Sequence, residues 1–76
     1  MRVPRITIDM MVAVVAVAQK KTMELAAKEL GLSPSAVYKR IHAANTVIGR
    51  PLFLSTENGM VLTDAGKRFY PDAIKA

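Results

Sequence analysis

Apolar residues recur at helical spacing in the first half of the chain and predict three helices. The first apolar run lies within residues 8–18, where apolar positions follow a three- and four-residue spacing. A second helix is predicted after Thr22, a residue suited to capping, and ends at a glycine. The third begins after Ser33, with Pro34 at its first position, and ends at Gly49. The predicted inward stripe of this third helix consists of Val37, Ile41, Ala44 and Ile48.

The pattern changes period after the third helix and predicts a β-hairpin. Two short apolar runs at residues 52–54 and 60–62 flank the dipeptide Asn58-Gly59. Asn-Gly between apolar runs is typical of a hairpin with a type I′ turn, whose two central residues both adopt positive φ. We therefore expect Asn58 and Gly59 at the centre of the turn.

A fourth helix is predicted after the hairpin. Thr63 and Asp64 are typical of a helix start, and Pro71 lies within the run that follows. Because proline removes a backbone donor and its ring clashes with the preceding turn, we expect a kink or an interruption at Pro71. The predicted order is helix, helix, helix, hairpin, helix, which is a mainly α fold.

The apolar segment at residues 10–18 also has the outline of a secretory signal peptide, since it follows a basic head at residues 1–5. Its β-branched content makes a buried strand a further alternative. A run of nine apolar residues is too short to cross a bilayer, which takes about 20. Removing it would also uncover the apolar stripes of the next two helices. We therefore predict a retained scaffold helix, starting near Asp9, and no membrane partner.

The charge balance narrows the function. The 76 residues include 11 Lys and Arg against 6 Asp and Glu, a net charge of +5. Such a balance is typical of nucleic-acid binding, although solubility or contact with anionic membranes also produces it. Cysteine is absent, which excludes disulfides and thiolate metal sites, and the single histidine, His42, cannot form a metal site alone. We expect no enzyme activity, no metal and no cofactor.

The second and third predicted helices form a candidate helix-turn-helix, because a three-residue turn that contains Gly31 joins them. The outward face of the third helix separates this motif from an ordinary helix pair. That face carries Ser35, Tyr38, Lys39, His42 and Thr46, with Arg40 and Asn45 at its edges. It contains no carboxylate, so it can approach phosphates without repulsion and donate hydrogen bonds to bases in the major groove. The pattern predicts DNA binding.

The stretches LAAKELGLSPSAVYKRI, IGRPLF and NGMVLTDAGKRFYP resemble the amino-terminal DNA-binding domain of LysR-type bacterial transcription regulators. The resemblance runs without a gap from about Ile8 to the end of the chain. It is carried by Ala26-Ala27, Leu30, Ser33, Ala36, Ile41, Gly49, Pro51-Leu52-Phe53, Gly59, Leu62-Thr63 and Ala65-Gly66. It implies a winged helix-turn-helix at residues 1–62, with recognition helix Pro34–Ile48 and wing Leu52–Leu62. Residues 63–76 would begin the linker helix through which such proteins dimerise.

The resemblance also implies where DNA would bind. The recognition helix would enter the major groove, and the wing would lie on the adjacent backbone or minor groove. Thr22 and Ser33 occupy phosphate-binding positions of the family, and residues 34, 35, 38 and 39 occupy positions that reach base edges. Together with nearby polar and basic residues, the expected DNA-binding residues are Lys21, Thr22, Ser33, Pro34, Ser35, Tyr38, Lys39, His42, Arg50, Ser55 and Asn58.

Several of these positions depart from the family pattern. Residues 33–35 read Ser-Pro-Ser where members commonly show Ser-Gln-Pro, so a usual base-reading glutamine is absent. Tyr38 replaces a typical serine, and Lys39 replaces a typical arginine and loses its bidentate geometry. Asn45 stands where glutamate is frequent, and Ser55 where an arginine of the wing usually contacts DNA. These changes shift the expected phosphate binding towards Lys20, Lys21, Arg40 and Arg50.

The expected partners are double-stranded DNA and a second copy of the chain, joined through the linker helix, in the cytoplasm. We expect no small-molecule ligand within this chain. Two alternatives stay open. One is the DNA-binding domain of a molybdate-responsive type of regulator, which has a related fold. The other is a helix-turn-helix protein-interaction module that no longer binds DNA, which the absence of a wing arginine at Ser55 favours.

Overall fold

A computed structural model describes residues 5–75, so most of the basic head and the last residue lie outside the described part. The described elements are α1 (Ile8–Lys20), α2 (Met23–Leu30), α3 (Pro34–Ile48), β1 (Phe53–Thr56), β2 (Gly59–Leu62) and α4 (Asp64–Lys75). This order is the predicted one. No helix within residues 5–75 combines the length and the apolar character that a membrane crossing needs.

The first helix, α1, lies at the centre of the core. The Thr7 side chain caps it by accepting a hydrogen bond from the Met10 N–H at 3.2 Å. Lys21 ends it in a left-handed conformation, with φ of +70°. The buried residues of α1 are Ala13, Val14, Ala16 and Val17. The prediction of a scaffold helix is confirmed, and the strand alternative for this segment is wrong.

The helix-turn-helix begins and ends with the predicted capping residues. The Thr22 hydroxyl accepts a hydrogen bond from the Leu25 N–H, and the Ser33 hydroxyl accepts one from the Ala36 N–H. These bonds satisfy donors that the first turns of α2 and α3 would otherwise leave free. Gly31 ends α2 with φ of +69°, as the turn requires.

The inward stripe of α3 is shorter than predicted. Val37, Ile41 and Ala44 are buried against α1 and α2, but Ile48 is 37% exposed. Ile48 is the last residue of α3, where the helix extends past the three-helix core. It lines a groove beside Ala65 and Phe69 of α4 instead.

The hairpin forms, but its turn differs from the prediction. Thr56 pairs with Gly59 across the strands, so the two turn residues are Glu57 and Asn58. In this hairpin Gly59 has a positive φ, of +103°, and Asn58 does not. The predicted type I′ turn at Asn58-Gly59 is therefore wrong. The Thr56 hydroxyl stabilises the observed turn, since it donates to the Gly59 carbonyl and accepts from the Asn58 N–H.

The wing packs on the helices through its second strand and its base. The Met60 N–H donates to the Lys21 carbonyl at 2.7 Å, which joins β2 to the end of α1. Gly59 lies so close to this carbonyl that a Cβ at this position would be 2.7 Å from its oxygen. Leu52 and Phe53, at the start of the wing, are buried in the core. The hairpin thus has a fixed position on the helices.

The last helix, α4, leaves directly from the base of the wing. Thr63 caps it through a 3.1 Å hydrogen bond from the Gly66 N–H. The helix continues through Pro71 to Lys75, so the interruption that we considered does not occur. Beyond the proline, Ala73 of α4 is buried. Three core helices, a hairpin wing and α4 form a winged helix-turn-helix, as predicted.

Candidate nucleic-acid interface

The outward face of α3 is exposed, polar and basic, as predicted. Pro34 occupies the first position of α3. Its missing backbone N–H costs nothing there, because the first N–H groups of a helix have no partner within the helix. The helix contains no Asp or Glu over its whole length. Its exposed predicted DNA-binding residues are Pro34, Ser35, Tyr38, Lys39 and His42. The structure therefore brings these five residues together on one surface.

Two hydroxyls lie together at the start of α3. The Ser33 and Ser35 hydroxyl oxygens are 3.2 Å apart, and the Ser33 oxygen also accepts from the Ala36 N–H. Both residues are exposed. Exposed hydroxyls and the positive end of the helix dipole favour an approaching anion. This end of α3 can therefore contact a phosphate while the following turn reaches the bases.

Two aromatic rings stack along the middle of the same face. The Tyr38 and His42 rings have centroids 6.2 Å apart and an angle of 15° between their planes. Tyr38 remains 59% exposed, so its hydroxyl and one ring face are free to contact a ligand. The two rings lie on the same exposed face as Lys39. The sequence indicated both residues but not that they touch.

A second group of predicted residues meets where the end of α1 faces the wing. Lys21 and Thr22 line a cleft there with Ser55 of β1. Glu24 lines the same cleft and adds a negative charge that the sequence reasoning did not consider. Asn58 lies apart from this cleft, exposed at the turn of the wing. The structure thus brings Lys21, Thr22 and Ser55 together in one cleft and leaves Asn58 outside it.

Arg50 lies at the opposite end of α3 and has a basic neighbour. It lines one groove with His42 and Thr46 and another with Arg68 of α4. Arg68 was not among the expected DNA-binding residues, because only tertiary packing brings α4 next to Arg50. Arg50 and Arg68 together add positive charge beyond the last turn of the recognition helix.

Two of the basic residues expected to bind phosphate are paired with carboxylates. Within residues 5–75 the ion pairs join Lys20 to Glu29 at 3.5 Å and Arg40 to Asp9 at 3.8 Å. Such exposed pairs add little stability, but they offset part of the positive charge. Lys39 takes no part in either pair. The expected shift of phosphate binding is therefore better supported for Lys21 and Arg50 than for Lys20 and Arg40.

Asn45 contributes to the fold rather than to the edge of the exposed face. Its side-chain oxygen accepts a 3.0 Å hydrogen bond from the Leu52 N–H at the base of the wing. Sequence spacing placed Asn45 at the edge of the outward face, but no local signal indicated this contact.

Within the described residues, no group of three or more His, Cys, Asp or Glu could hold a metal ion.

Comparison with known proteins identifies the family. The sequence model of the "bacterial regulatory helix-turn-helix protein, lysR family" matches residues 8–67. The HTH-type transcriptional regulator BudR of Klebsiella aerogenes is 41% identical over 61 residues, covering 80% of this chain and 43% of that protein. The HTH-type transcriptional regulator DsdC of Escherichia coli (strain K12) is 43% identical over 53 residues, covering 70% of this chain and 17% of that protein.

A solved structure extends the similarity to the fold. The chain superposes on the protein of the CbnR_DBD-DNA complex with a TM-score of 0.84 and 29% sequence identity. The match covers 91% of this chain and 79% of that one. The chain spans less than half the length of BudR and less than a fifth of DsdC. On the matched family sequence and the shared fold, the chain belongs to the LysR family of bacterial regulatory helix-turn-helix proteins.

Proposed function

We propose that this chain binds double-stranded DNA sequence-specifically as the DNA-binding part of a bacterial LysR-type transcription regulator. The observation that carries the proposal is the exposed face of α3, which is basic and free of carboxylates in a winged helix-turn-helix. A helix of this kind fits the major groove, where its side chains reach base edges. The similarity to the protein of the CbnR_DBD-DNA complex supports the same function.

The roles of the residues follow from their positions. Lys39 and the Tyr38–His42 stack lie at the centre of the face, where base contacts form, and Pro34 and Ser35 lie at its start. Phosphate contacts are assigned to the hydroxyls and basic groups that surround this centre. These are Lys21, Thr22, Ser33 and Arg50, together with Ser55 and Asn58 of the wing. The wing then lies on the adjacent backbone or minor groove.

An apolar groove between α1 and α4 supports dimerisation as part of the same proposal. Val12 and Val15 of α1 line it together with Ala73 and Ile74 of α4. Val12 is 41% exposed and Ile74 is 54% exposed, so the groove presents apolar surface to solvent. Such a surface is typical of protein association. We assign it to a second copy of the chain, bound through α4.

Since bacterial chromosomal DNA lies in the cytoplasm, we place the protein there.

The alternatives have less support. The family match favours a LysR-type regulator over a molybdate-responsive one. A protein-interaction module without DNA binding would not need a carboxylate-free face, and a solvated helix usually carries both charge signs. The matched relatives are named as transcriptional regulators, which agrees with the prediction that the chain is not an enzyme.

Selection of bound sequences from random double-stranded DNA tests this function. We expect enrichment of a motif, and for a dimer a two-fold symmetric motif whose half-sites lie about one helical turn apart. Lys28→Ala serves as a control and should select the same motif, because Lys28 is an exposed basic residue of α2 to which no base or phosphate contact is assigned. Failure of the wild-type chain to enrich any sequence would contradict the proposal. Enrichment of a single half-site would support DNA binding but contradict dimerisation.

A further inference from the structure

Asn45 connects the recognition helix to the wing through one partly buried hydrogen bond. Its side-chain oxygen accepts from the Leu52 N–H at 3.0 Å, across a separation of seven positions. Its backbone carbonyl accepts from the Gly49 N–H at 2.7 Å, which ends α3. One residue therefore accepts a hydrogen bond at the end of the recognition helix and another from the first residue of the wing.

The base of the wing is held on its other side by α4. The Leu52 carbonyl accepts from the Thr63 N–H at 3.0 Å, and the Thr63 hydroxyl donates to the Pro51 carbonyl at 2.7 Å. Leu52 itself is fully buried. Further along the wing, the Met60 N–H donates to the Lys21 carbonyl. These bonds fix the wing to α1 and α4, but none of them connects it to α3.

The side-chain bond of Asn45 is thus the polar link that joins the wing directly to α3. Without it, the Leu52 N–H would lose its acceptor in a partly buried position, where an unsatisfied donor is costly. The segment between α3 and β1 would then relax while the wing stayed attached to α1 and α4. Because the wing stays joined to α1 and α4, the change would be confined to the spacing between α3 and the base of the wing, and the fold would persist.

On the basis of the proposed function, we propose that Asn45 is a positioning residue for DNA recognition. It holds the wing at the spacing from α3 at which wing residues contact phosphates while α3 contacts bases. A protein that reads bases and phosphates at the same time needs both surfaces in register. Asn45 acts through the wing and does not itself contact DNA.

Three variants test this inference in the full chain. Asn45→Ala removes the acceptor, and Asn45→Asp keeps an acceptor oxygen in a side chain of the same shape. Thr7→Ala is the matched control, because the Thr7 hydroxyl also accepts one backbone N–H, from Met10 in the first turn of α1, and makes no link to the wing. Circular dichroism first defines a temperature at which all three variants are folded.

The DNA probe is the duplex that wild-type protein selects from random sequences, and phosphate ethylation interference maps the phosphates that the protein touches. For Asn45→Ala we expect interference to disappear at the phosphates that the wing contacts and to remain at the phosphates beside α3. We also expect the slope of log affinity against log salt to become shallower by about 1 for each phosphate that the wing no longer neutralises. Asn45→Asp should restore the interference pattern at a lower overall affinity, because its carboxylate repels phosphates, and Thr7→Ala should leave the pattern unchanged.

Amide hydrogen exchange on the free protein checks the bond itself. We expect faster exchange of the Leu52 N–H in Asn45→Ala but not in Thr7→Ala. Retention of the wild-type interference pattern by Asn45→Ala would overturn the inference. Loss of interference at the phosphates that α3 contacts in Asn45→Ala would mean that the amide contacts DNA directly, and the positioning role would then be wrong. Failure of the wild-type chain to select any DNA would instead contradict the proposed function, and this inference with it.

Discussion

Helix α4 passes so close to the base of the wing that only glycine fits at position 66. Gly66 is buried in the first turn of α4, and its N–H donates to the Thr63 hydroxyl at 3.1 Å. A Cβ at this position would overlap the Leu52 carbonyl oxygen and lie 2.8 Å from a methyl carbon of Leu62. The Leu62 methyl group can move, but the Leu52 carbonyl is part of the backbone. The change Gly66→Ala therefore tests how tightly this junction is packed.

Two opposing effects determine the stability of Gly66→Ala. Helix propensity favours alanine over glycine by about 1 kcal/mol in a helix interior. Overpacking of a close contact costs about 1–3 kcal/mol. The Leu52 carbonyl accepts from the Thr63 N–H, so moving it also weakens a bond worth about 0.5–1.5 kcal/mol. We expect a net loss of about 1–3 kcal/mol in the free energy of unfolding, opposite in sign to the propensity effect.

Thermal and urea unfolding, followed by circular dichroism, measure this change. For a domain of this size, each kcal/mol lowers the unfolding midpoint by about 4–8 °C. Lys67→Ala is the control, because Lys67 is the exposed next residue of α4, where a substitution should change stability by less than about 0.5 kcal/mol. A Gly66→Ala variant as stable as the wild type, or more stable, would refute the close-contact reasoning.

Three further predictions concern the DNA surface. Lys21→Gly should raise the free energy of unfolding by up to about 1 kcal/mol, because Lys21 adopts a left-handed conformation with φ of +70°. The same variant should reduce the slope of log affinity against log salt by about 1, and an unchanged slope would mean that Lys21 contacts no phosphate. Lys39→Ala should weaken binding to the selected duplex by about 1–3 kcal/mol in a mobility-shift titration. Equal losses on selected and random DNA would show that Lys39 contacts only phosphate. Ser55→Arg should restore a wing contact and steepen the salt slope by about 1, whereas an unchanged slope would place Ser55 away from the DNA.

The helices and their ends could be predicted from the sequence because their signals are local. The Thr22 and Ser33 hydroxyls bond to backbone groups only three residues away, and each spacing is visible in the sequence. Gly49 ends α3 with φ of +82° for the same local reason. The hairpin was predictable as an element, but its register was not. Asn58-Gly59 is compatible with more than one turn, and the hydrogen bonds of the turn and the close packing of Gly59 on α1 select the observed one.

Contacts between distant segments could not be predicted from the sequence. The outward face of α3 followed from helical periodicity, but the bond from Asn45 to Leu52 depends on where the wing starts. The pairing of Arg40 with Asp9 likewise requires α1 and α3 to pack side by side. Periodicity shows which face of a helix points outwards, and it contains no information about which residue of another element lies opposite.

Titration of DNA binding against salt tests the central proposal most directly. A labelled duplex of selected sequence is titrated with the wild-type chain by fluorescence anisotropy over a series of salt concentrations. Binding through Lys and Arg to phosphates releases counterions, so log affinity should fall linearly with log salt, with a slope of about −0.9 for each phosphate neutralised. The selected duplex should also bind more tightly than a random one at each salt concentration. Absence of binding at low salt, or an affinity that does not change with salt, would contradict the proposal that this basic face binds DNA.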